Sequence, residues 1–192
     1  SGGLDYIRIE YFDGTPVSDT ILTTDIDTTL IYARGYTSSS ELIGDLAVDW
    51  KIVGPSSVAE LTPTIGEFSE LSLLKPSDIK IVAEHSSGLT DTTGTIFIIT
   101  GQAASLIISP DTAVLAIGET VLFSMEARDA DHNALVPQPV PVWSMTNNIG
   151  TIDAGGLFTA TAVGTTCIIA TVDTVADTSN LITVMPGSLA GI

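Results

Sequence analysis

The sequence predicts an all-β chain that is built from two tandem β-sandwich domains. Short runs of β-branched residues alternate with turns rich in Gly, Pro, Asp and Asn along all 192 residues, a pattern typical of sandwiches and barrels. No window carries apolar residues at helical spacing over three turns. The order of landmarks in the first half also recurs in the second half, which indicates a repeated fold.

Ten runs are predicted to be strands, five in each half. They cover residues 6–11, 28–36, 46–53, 78–84, 95–100, 105–109, 120–128, 140–145, 165–172 and 180–184. In Ile79, Ile81 and Ala83 the apolar residues occupy alternate positions, as expected for a strand with one face in a core. Gly155 and Gly156 are expected to supply the backbone freedom of a tight turn.

The two tryptophans mark the repeat most clearly, because each lies alone in a strand of its own half. Trp50 and Trp143 are predicted to be equivalent plugs that fill the space between the two sheets of a sandwich. An Ile-Gly step follows each of them, at Ile65-Gly66 and at Ile149-Gly150. We expect domains at residues 1–101 and 102–186, arranged end to end with little bending at Gly101. Residues 187–192 are interpreted as the start of a linker.

The second half resembles a known family of domains. The stretch 149–160, Ile-Gly-Thr-Ile-Asp-Ala-Gly-Gly-Leu-Phe-Thr-Ala, is similar to the signature of bacterial immunoglobulin-like domains of the Big group. The resemblance covers residues 105–185 closely and residues 4–100 more loosely. It implies two tandem immunoglobulin-like sandwiches that serve as repeat modules in adhesins, surface layers and multidomain extracellular enzymes. The expected location is therefore extracellular, secreted or anchored at a cell surface.

The charge of the chain argues against several classes of partner. Its net charge is −17, with 23 acidic and 6 basic residues, and only 15% of the residues are charged. Both halves are acidic, and such a surface repels phosphate groups, whose binding depends on Lys and Arg. Nucleic acid and membrane insertion are therefore not expected. The apolar runs are strand-sized and too short to cross a bilayer.

No set of residues predicts a catalytic site or a bound cofactor. The one cysteine, Cys167, cannot form an intrachain disulfide, and the two histidines lie in different halves, outside any metal-type spacing. Asp129, Asp131 and Asn133 have the spacing that begins a calcium loop. The later positions of such a loop are not filled by its usual Gly and Glu, so a solvated turn is the favoured interpretation.

These observations predict a non-catalytic spacer in a secreted or cell-surface multidomain protein, present as a monomer that contacts the neighbouring domains of its parent chain. An adhesin-type module that binds a host protein or a glycan is the alternative, as is an accessory domain of an extracellular carbohydrate-active enzyme. Sugar binding needs exposed aromatic rings. If the tryptophans are buried, the aromatic residues that remain for it are Tyr11, Phe12, Tyr32 and Tyr36.

Overall fold

The computed structural model describes residues 2–26 and 28–187, and in these residues every regular element is a β-strand. The chain divides into two compact units, Ser1–Gly101 and Gln102–Ile192, called domain one and domain two below. Most of the predicted linker, residues 188–192, lies outside the described residues. No helix in the described part of the chain is long and apolar enough to cross a membrane.

Domain one is a sandwich of two sheets. Its strands are β1 Tyr6–Glu10, β2 Thr20–Thr23, β3 Thr29–Tyr36, β4 Leu42–Asp45, β5 Val48–Val53, β6 Ala59–Thr62, β7 Ile65–Gly66, β8 Phe68–Leu73, β9 Ser77–His85, β10 Thr90–Thr92 and β11 Ile96–Ile99. One sheet has the order β1-β3-β8-β6, with β4 beside β3. The other has the order β2-β11-β9-β5-β7, with β10 beside β9. All neighbours are antiparallel except β2 and β11, which are parallel.

Domain two repeats this arrangement in shorter segments. Its strands are β12 Ser105–Ser109, β13 Ala113–Ala116, β14 Thr120–Leu122, β15 Ser124–Arg128, β16 Val142–Met145, β17 Gly150–Ile152, β18 Leu157–Ala160, β19 Gly164–Thr166, β20 Ile168–Val172, β21 Val175–Thr178 and β22 Ile182–Met185. In one layer β12 pairs with β15, and β14 pairs with β18, which pairs with β17. In the other layer β16 pairs with β20, which pairs with β21, while β22 lies between β19 and β13. Here too the second strand, β13, runs parallel to the last strand, β22.

The repeat extends to matching residues in matching registers. In domain one Ala83 lies between Trp50 and Asp91 on the neighbouring strands. In domain two Ala170 lies in the same way between Trp143 and Asp177. Each of these aspartates accepts a hydrogen bond from the backbone of the first strand of its domain. The N–H of Ile9 donates to Asp91 at 2.7 Å, and the N–H of Ile108 donates to Asp177 at 3.0 Å. The two domains therefore share one fold with detailed correspondence.

The strand predictions were correct for 105–109 and close for the long strands of domain one. The predicted strands 120–128 and 165–172 are each interrupted, at Phe123 and at Cys167 respectively. Several short strands were not predicted, among them β2, β6, β8, β13 and β18. The proposed equivalence of the two Ile-Gly steps was wrong. Ile65-Gly66 forms β7 beside β5, whereas Gly150 begins β17 in the opposite layer and pairs with β18.

Each domain encloses its own hydrophobic core. In domain one the inward-facing residues of β1, β3, β5, β8, β9 and β11 are buried, with Ile31, Ala33 and Ile81 fully enclosed. In domain two the largest fully buried side chains are Phe123 and Phe158. Burial of apolar surface is the main term that stabilises such domains.

The predicted role of glycine in the turn after β17 is fulfilled by Gly156. Its φ is +85°, a left-handed conformation that side chains rarely adopt. A Cβ at this position would lie 2.3 Å from the carbonyl oxygen of Phe123 and 3.2 Å from the indole ring of Trp143. A side chain here would therefore displace the neighbouring strand and the tryptophan.

Candidate functional site

The paired second and last strands of each domain form a clamp, a term used here for β2 with β11 and for β13 with β22. In domain one the N–H of Thr20 donates to the carbonyl of Thr95 at 3.1 Å, and the N–H of Thr24 donates to that of Ile99 at 3.0 Å. The Asp19 carboxylate also accepts from the N–H of Thr95 at 2.6 Å. The clamp is therefore tied by hydrogen bonds at both of its ends.

The clamp of domain two is closed in the same way. The N–H of Ile117 donates to the carbonyl of Met185 at 3.2 Å, at the far end of the parallel pair. At the near end the Asp111 carboxylate accepts from the backbone N–H of Asn180 at 2.9 Å and also from its side-chain amide. Asp111 thus corresponds to Asp19, and Asn180 to Thr95. The carboxylates of Asp111 and Asp91 thus both have backbone partners within their own domain.

An aromatic cluster lies on the outer face of the β1-β3-β8-β6 sheet of domain one. It consists of Phe12, Tyr32 and Phe68. The ring centroids of Tyr32 and Phe12 are 6.0 Å apart with planes tilted by 57°, and those of Tyr32 and Phe68 are 5.9 Å apart with a tilt of 41°. Phe12 is 77% exposed and Phe68 is 45% exposed. The Arg34 guanidinium lies 5.4 Å from the centre of the Tyr32 ring, a cation–π geometry.

A buried ionic network holds this face together. The Glu10 side chain is fully buried and accepts from Arg8 at 2.5 Å, from Arg34 at 3.1 Å and from the Tyr36 hydroxyl at 2.6 Å. Arg34 also donates to Asp45 and to the carbonyl of Phe12, both over about 3 Å. Because the same guanidinium ties Phe12 to the sheet, the network positions the aromatic cluster.

The network also changes the acidity of its members. Burial raises the pKa of Tyr36 above its ordinary value, and the hydrogen bond to the neighbouring Glu10 adds to this effect. The hydrogen bond with Tyr36 raises the pKa of Arg8. Both shifts favour the protonated forms, in which a phenol and a cation surround one carboxylate.

The four aromatic residues that the sequence left as candidates for a binding surface differ in exposure. Phe12 and Tyr32 belong to the exposed cluster. Tyr36 is buried against the network, and its ring stacks on Tyr6 with centroids 5.2 Å apart. Tyr11 is partly buried. Sequence reasoning missed Phe68, although its place in an alternating strand, Phe-Ser-Glu-Leu-Ser-Leu, was a usable signal.

The two tryptophans occupy equivalent strand positions but are not equally buried. Trp50 is only 3% exposed, and its indole N–H donates to the carbonyl of Gly66 at 3.1 Å. Trp143 is partly buried at the margin of its core. The expectation of two equivalent enclosed plugs is therefore right for Trp50 and wrong for Trp143. Phe123 and Phe158 fill the centre of domain two, which leaves its tryptophan at the edge.

The predicted calcium residues form a turn that binds its own backbone. Asp129 is buried, and its carboxylate accepts from the N–H groups of Asp131 and Asn133 at 3.1 and 2.8 Å and from the Asn133 side chain at 3.1 Å. Asp131 is exposed. In the described residues no group of three or more His, Cys, Asp and Glu side chains is placed to hold a metal ion. The geometry is that of a side-chain-stabilised turn.

His85 and Cys167 are two further residues with reactive side chains. His85 pairs through Nδ1 with the Ser87 hydroxyl at 2.8 Å in the turn after β9. Cys167 is partly buried, and its backbone N–H donates to the Thr146 hydroxyl at 2.9 Å. His85 and Cys167 belong to different domains, so neither domain combines the thiol with this imidazole.

Residues 102–182 match the family model described as bacterial Ig-like domain (group 2). The match covers nearly the whole of domain two. The match confirms the resemblance that was drawn from residues 105–185. Membership of domain one in the same family remains a prediction, supported by its shared topology. The bacterial Ig-like family is typical of extracellular structural or adhesion modules. Such modules are non-catalytic.

Solved structures of other multidomain proteins align with most of the chain. The protocadherin gamma B7 extracellular cadherin domains 1–4 align over 88% of this chain with a TM-score of 0.52 and 15% identity. The S-layer protein rSbsC aligns over 96% with a TM-score of 0.40 and 13% identity, and the C-terminal fragment of intimin in complex with its receptor domain aligns over 94% with 0.39 and 12%.

This chain spans about half of the protocadherin chain, 49%, and 28% of the S-layer chain. No curated protein sequence matches the chain significantly. At these identities the protocadherin likeness shows the fold alone. It confirms the all-β, immunoglobulin-like class.

Proposed function

We propose that the chain is a non-catalytic structural spacer of a secreted or cell-surface multidomain protein, and that it carries tension between its neighbouring domains. The family of domain two and the shared fold of both domains support this role. The observation that carries it is the clamp, because each domain pairs its second strand in parallel with its last strand.

Parallel pairing determines how the clamp is loaded. When a domain is pulled from its two ends, the force draws β2 towards its own start and draws β11 towards its own end. The strands then slide along each other, so all of their hydrogen bonds bear the load together. An antiparallel hairpin pulled from its open end would instead lose its hydrogen bonds one at a time. Each bond contributes only about 1 kcal/mol, so simultaneous loading is what makes the pair resistant.

Single-molecule force spectroscopy tests this proposal. The chain is tethered at its first and last residues and extended. Two separate unfolding events are expected, each releasing about 30 nm, because somewhat fewer than 100 residues per domain extend by about 3.3–3.6 Å each. Forced unfolding follows the rate of unfolding, so the force reports the clamp and not the equilibrium stability.

A pair of proline variants provides the matched control. Thr20→Pro removes the N–H that donates to Thr95 across the clamp, and it should lower the unfolding force of domain one. Ile21→Pro lies one residue further along the edge strand, where alternation directs the N–H to solvent, so proline is tolerated. Ile21 is 66% exposed, and its replacement should leave the force nearly unchanged. Equal forces in the two variants would contradict the load-bearing role.

A protein-binding role is the second candidate, and the aromatic cluster favours it. Exposed Tyr and Phe beside Arg have the composition of interface hot spots. The rings of Phe12, Tyr32 and Phe68 are tilted by 57° and 41°. They therefore form a knob and not the flat platform on which a sugar ring stacks, and a protein pocket is the better complement.

Binding of the chain to a panel of purified extracellular-matrix proteins and to a glycan array would test this second role. The Phe12→Ala/Phe68→Ala variant is compared with Phe97→Ala, which removes a 39% exposed ring from the other sheet. The expected result is saturable binding to a protein that the double variant loses and Phe97→Ala retains. Binding to glycans alone, or equal binding by all variants, would contradict it.

A further inference from the structure

Strand β5 of domain one has both of its edges covered. One side pairs with β9, and the other pairs with β7, with Val48 opposite Gly66 and Asp49 opposite Ile65. The backbone N–H of Trp50 donates to the carbonyl of Thr64 at 2.8 Å. Its indole N–H donates to the carbonyl of Gly66 at 3.1 Å. A short extended segment, residues 64–66, therefore seals both the strand and its tryptophan.

Strand β16, the counterpart of β5 in domain two, is covered on one side only. The N–H of Thr146, directly after β16, donates to the carbonyl of Cys167, directly before β20, at 3.0 Å. Because successive N–H groups of a strand point to opposite sides, those of Trp143 and Met145 point away from β20. In the described part of the chain no strand pairs with that side, and the indole N–H of Trp143 has no hydrogen-bond partner. Residues of the turn after β17 lie near Trp143 instead, since Asp153 and Ala154 line a recess with it and a Cβ at Gly156 would lie 3.2 Å from its indole ring.

A shallow recess lies beside this open edge. It has a volume of about 290 Å³ and is lined by Pro141, Val142, Trp143, Ile152, Asp153 and Ala154. Domain one has a recess of similar size, about 310 Å³, beside Trp50 and Thr64 of its sealing segment. The unpaired edge, and not the recess, therefore distinguishes domain two.

The strand itself and the loop before it carry no charge, although the chain as a whole carries −17. The one charged residue of the recess is Asp153, whose carboxylate accepts from the N–H groups of Gly155 and Leu157 within its own turn. Residues 133–152 contain no Asp, Glu, Lys or Arg. Three valines of this stretch are strongly exposed: Val136 at 83%, Val140 at 82% and Val142 at 71%. In domain one the matching outer face is charged, since Asp49 and Glu84 stand where domain two has Val142 and Thr171. Strand β16 therefore lacks the charged side chains that normally protect an exposed edge strand from pairing.

We propose that the open edge of β16 binds an uncharged, extended peptide segment of a partner protein by strand addition. A carbonyl of that segment accepts from the Trp143 indole, as Gly66 does from Trp50, and an apolar side chain enters the recess. The uncharged strand and loop fit an uncharged segment, because a charged one would be desolvated along them without a counter-ion. Main-chain hydrogen bonds supply affinity in this mode, and side-chain pockets supply specificity.

The size of the edge favours a peptide over a second copy of the chain. Strand β16 has only four residues, and Pro141, directly before it, lacks an N–H. Stable protein–protein interfaces bury about 1,200–2,000 Å² in total. Pairing of two such short strands would fall well below that range, whereas a peptide needs no larger contact.

Nuclear magnetic resonance of the ¹⁵N-labelled chain tests the proposal, because each domain contains one tryptophan and so gives one indole N–H signal. The probe is a capped peptide with the sequence of residues 62–66, Thr-Pro-Thr-Ile-Gly, which is domain one's own sealing segment. The expected result is a saturable shift of the Trp143 indole and of the backbone N–H groups of Trp143 and Met145. The Trp50 indole should not move, because its position is already filled.

Two variants and a second peptide complete the experiment. Val142→Lys places a charge on the edge strand and should abolish the shifts, while Ile169→Lys, on the same face but one strand further in, should retain them. An Ile65→Asp version of the peptide should bind more weakly. Shifts of both indoles together, or shifts that never saturate, would overturn the proposal. If the same signals shift with the concentration of the chain when no peptide is present, the chain associates with itself through this edge and the proposal is overturned.

Discussion

The removal of each tryptophan in turn should affect the two domains unequally. Trp50→Ala deletes a side chain that is 97% enclosed and makes a hydrogen bond to Gly66. A buried Trp→Ala change costs about 3–5 kcal/mol, and the lost hydrogen bond adds about 0.5–1.5 kcal/mol. The expected loss in domain one is therefore about 4–6 kcal/mol, a large fraction of the roughly 5–15 kcal/mol that stabilises a typical domain.

Trp143→Ala removes a side chain that lies at the margin of its core and has no indole hydrogen bond. Phe123 and Phe158 remain fully buried at the centre of domain two. About half of the burial term, roughly 1.5–2.5 kcal/mol, is the expected cost. The variant should therefore lower the melting temperature of domain two without unfolding it, a smaller effect than a fully enclosed plug would give.

Calorimetry and fluorescence together measure these losses in the intact chain. Heat capacity gives the two thermal transitions, and the tryptophan that remains reports only the domain that was not altered. In Trp50→Ala the Trp143 signal should keep its wild-type urea midpoint, because the two cores are separate clusters. Equal losses in the two variants, or a greater loss in Trp143→Ala, would refute the assignment of burial.

Three further predictions concern the buried network and the turn of domain two. Glu10→Gln should destabilise domain one by about 2–4 kcal/mol in urea unfolding, because two guanidinium groups lose their buried partner. The control is Glu126→Gln, which breaks an exposed ion pair and should cost less than about 1 kcal/mol. Because burial raises the pKa of Tyr36 above 10.0, its contribution to stability is complete below pH 10 and is lost as the pH rises through the raised value. In an alkaline titration followed by tyrosinate absorbance, Tyr36→Phe should remove a late-titrating group, and loss of an early one would contradict this. Added calcium should leave the melting temperature of domain two unchanged, because the Asp129 carboxylate already binds its own loop; a rise that Asp129→Asn abolishes would show a calcium site.

The fold class was predictable because strand signals are local. Alternation in Ile79, Ile81 and Ala83 and the lone tryptophans depend only on neighbouring residues, and both patterns survive in the structure. The short strands were harder to predict, because β2, β13 and β18 have four residues each and acquire their pairing from distant segments. Tertiary context decides such elements.

The functional surfaces were predictable only in part. Phe12 and Tyr32 were among the predicted surface aromatics, but the contact of Tyr32 with Phe68 depends on the pairing of β3 with β8 across more than thirty residues. The open edge beside Trp143 was not predictable. Sequence similarity aligned Ile65-Gly66 with Ile149-Gly150, and only the strand pairing shows that the first step seals β5 while the second lies in the opposite layer.

The most direct test of the load-bearing role is to pull on one clamp in two directions. In a Cys167→Ser background, cysteines at Ser18 and Thr95 place both handles beside the same end of β2 and β11, where the Thr20 and Asp19 hydrogen bonds lie. Force applied there opens the bonds one after another, whereas force applied at the chain termini loads them together. The structure predicts a several-fold lower unfolding force for the handles at 18 and 95. Equal forces in the two directions would show that the parallel strands do not carry the load.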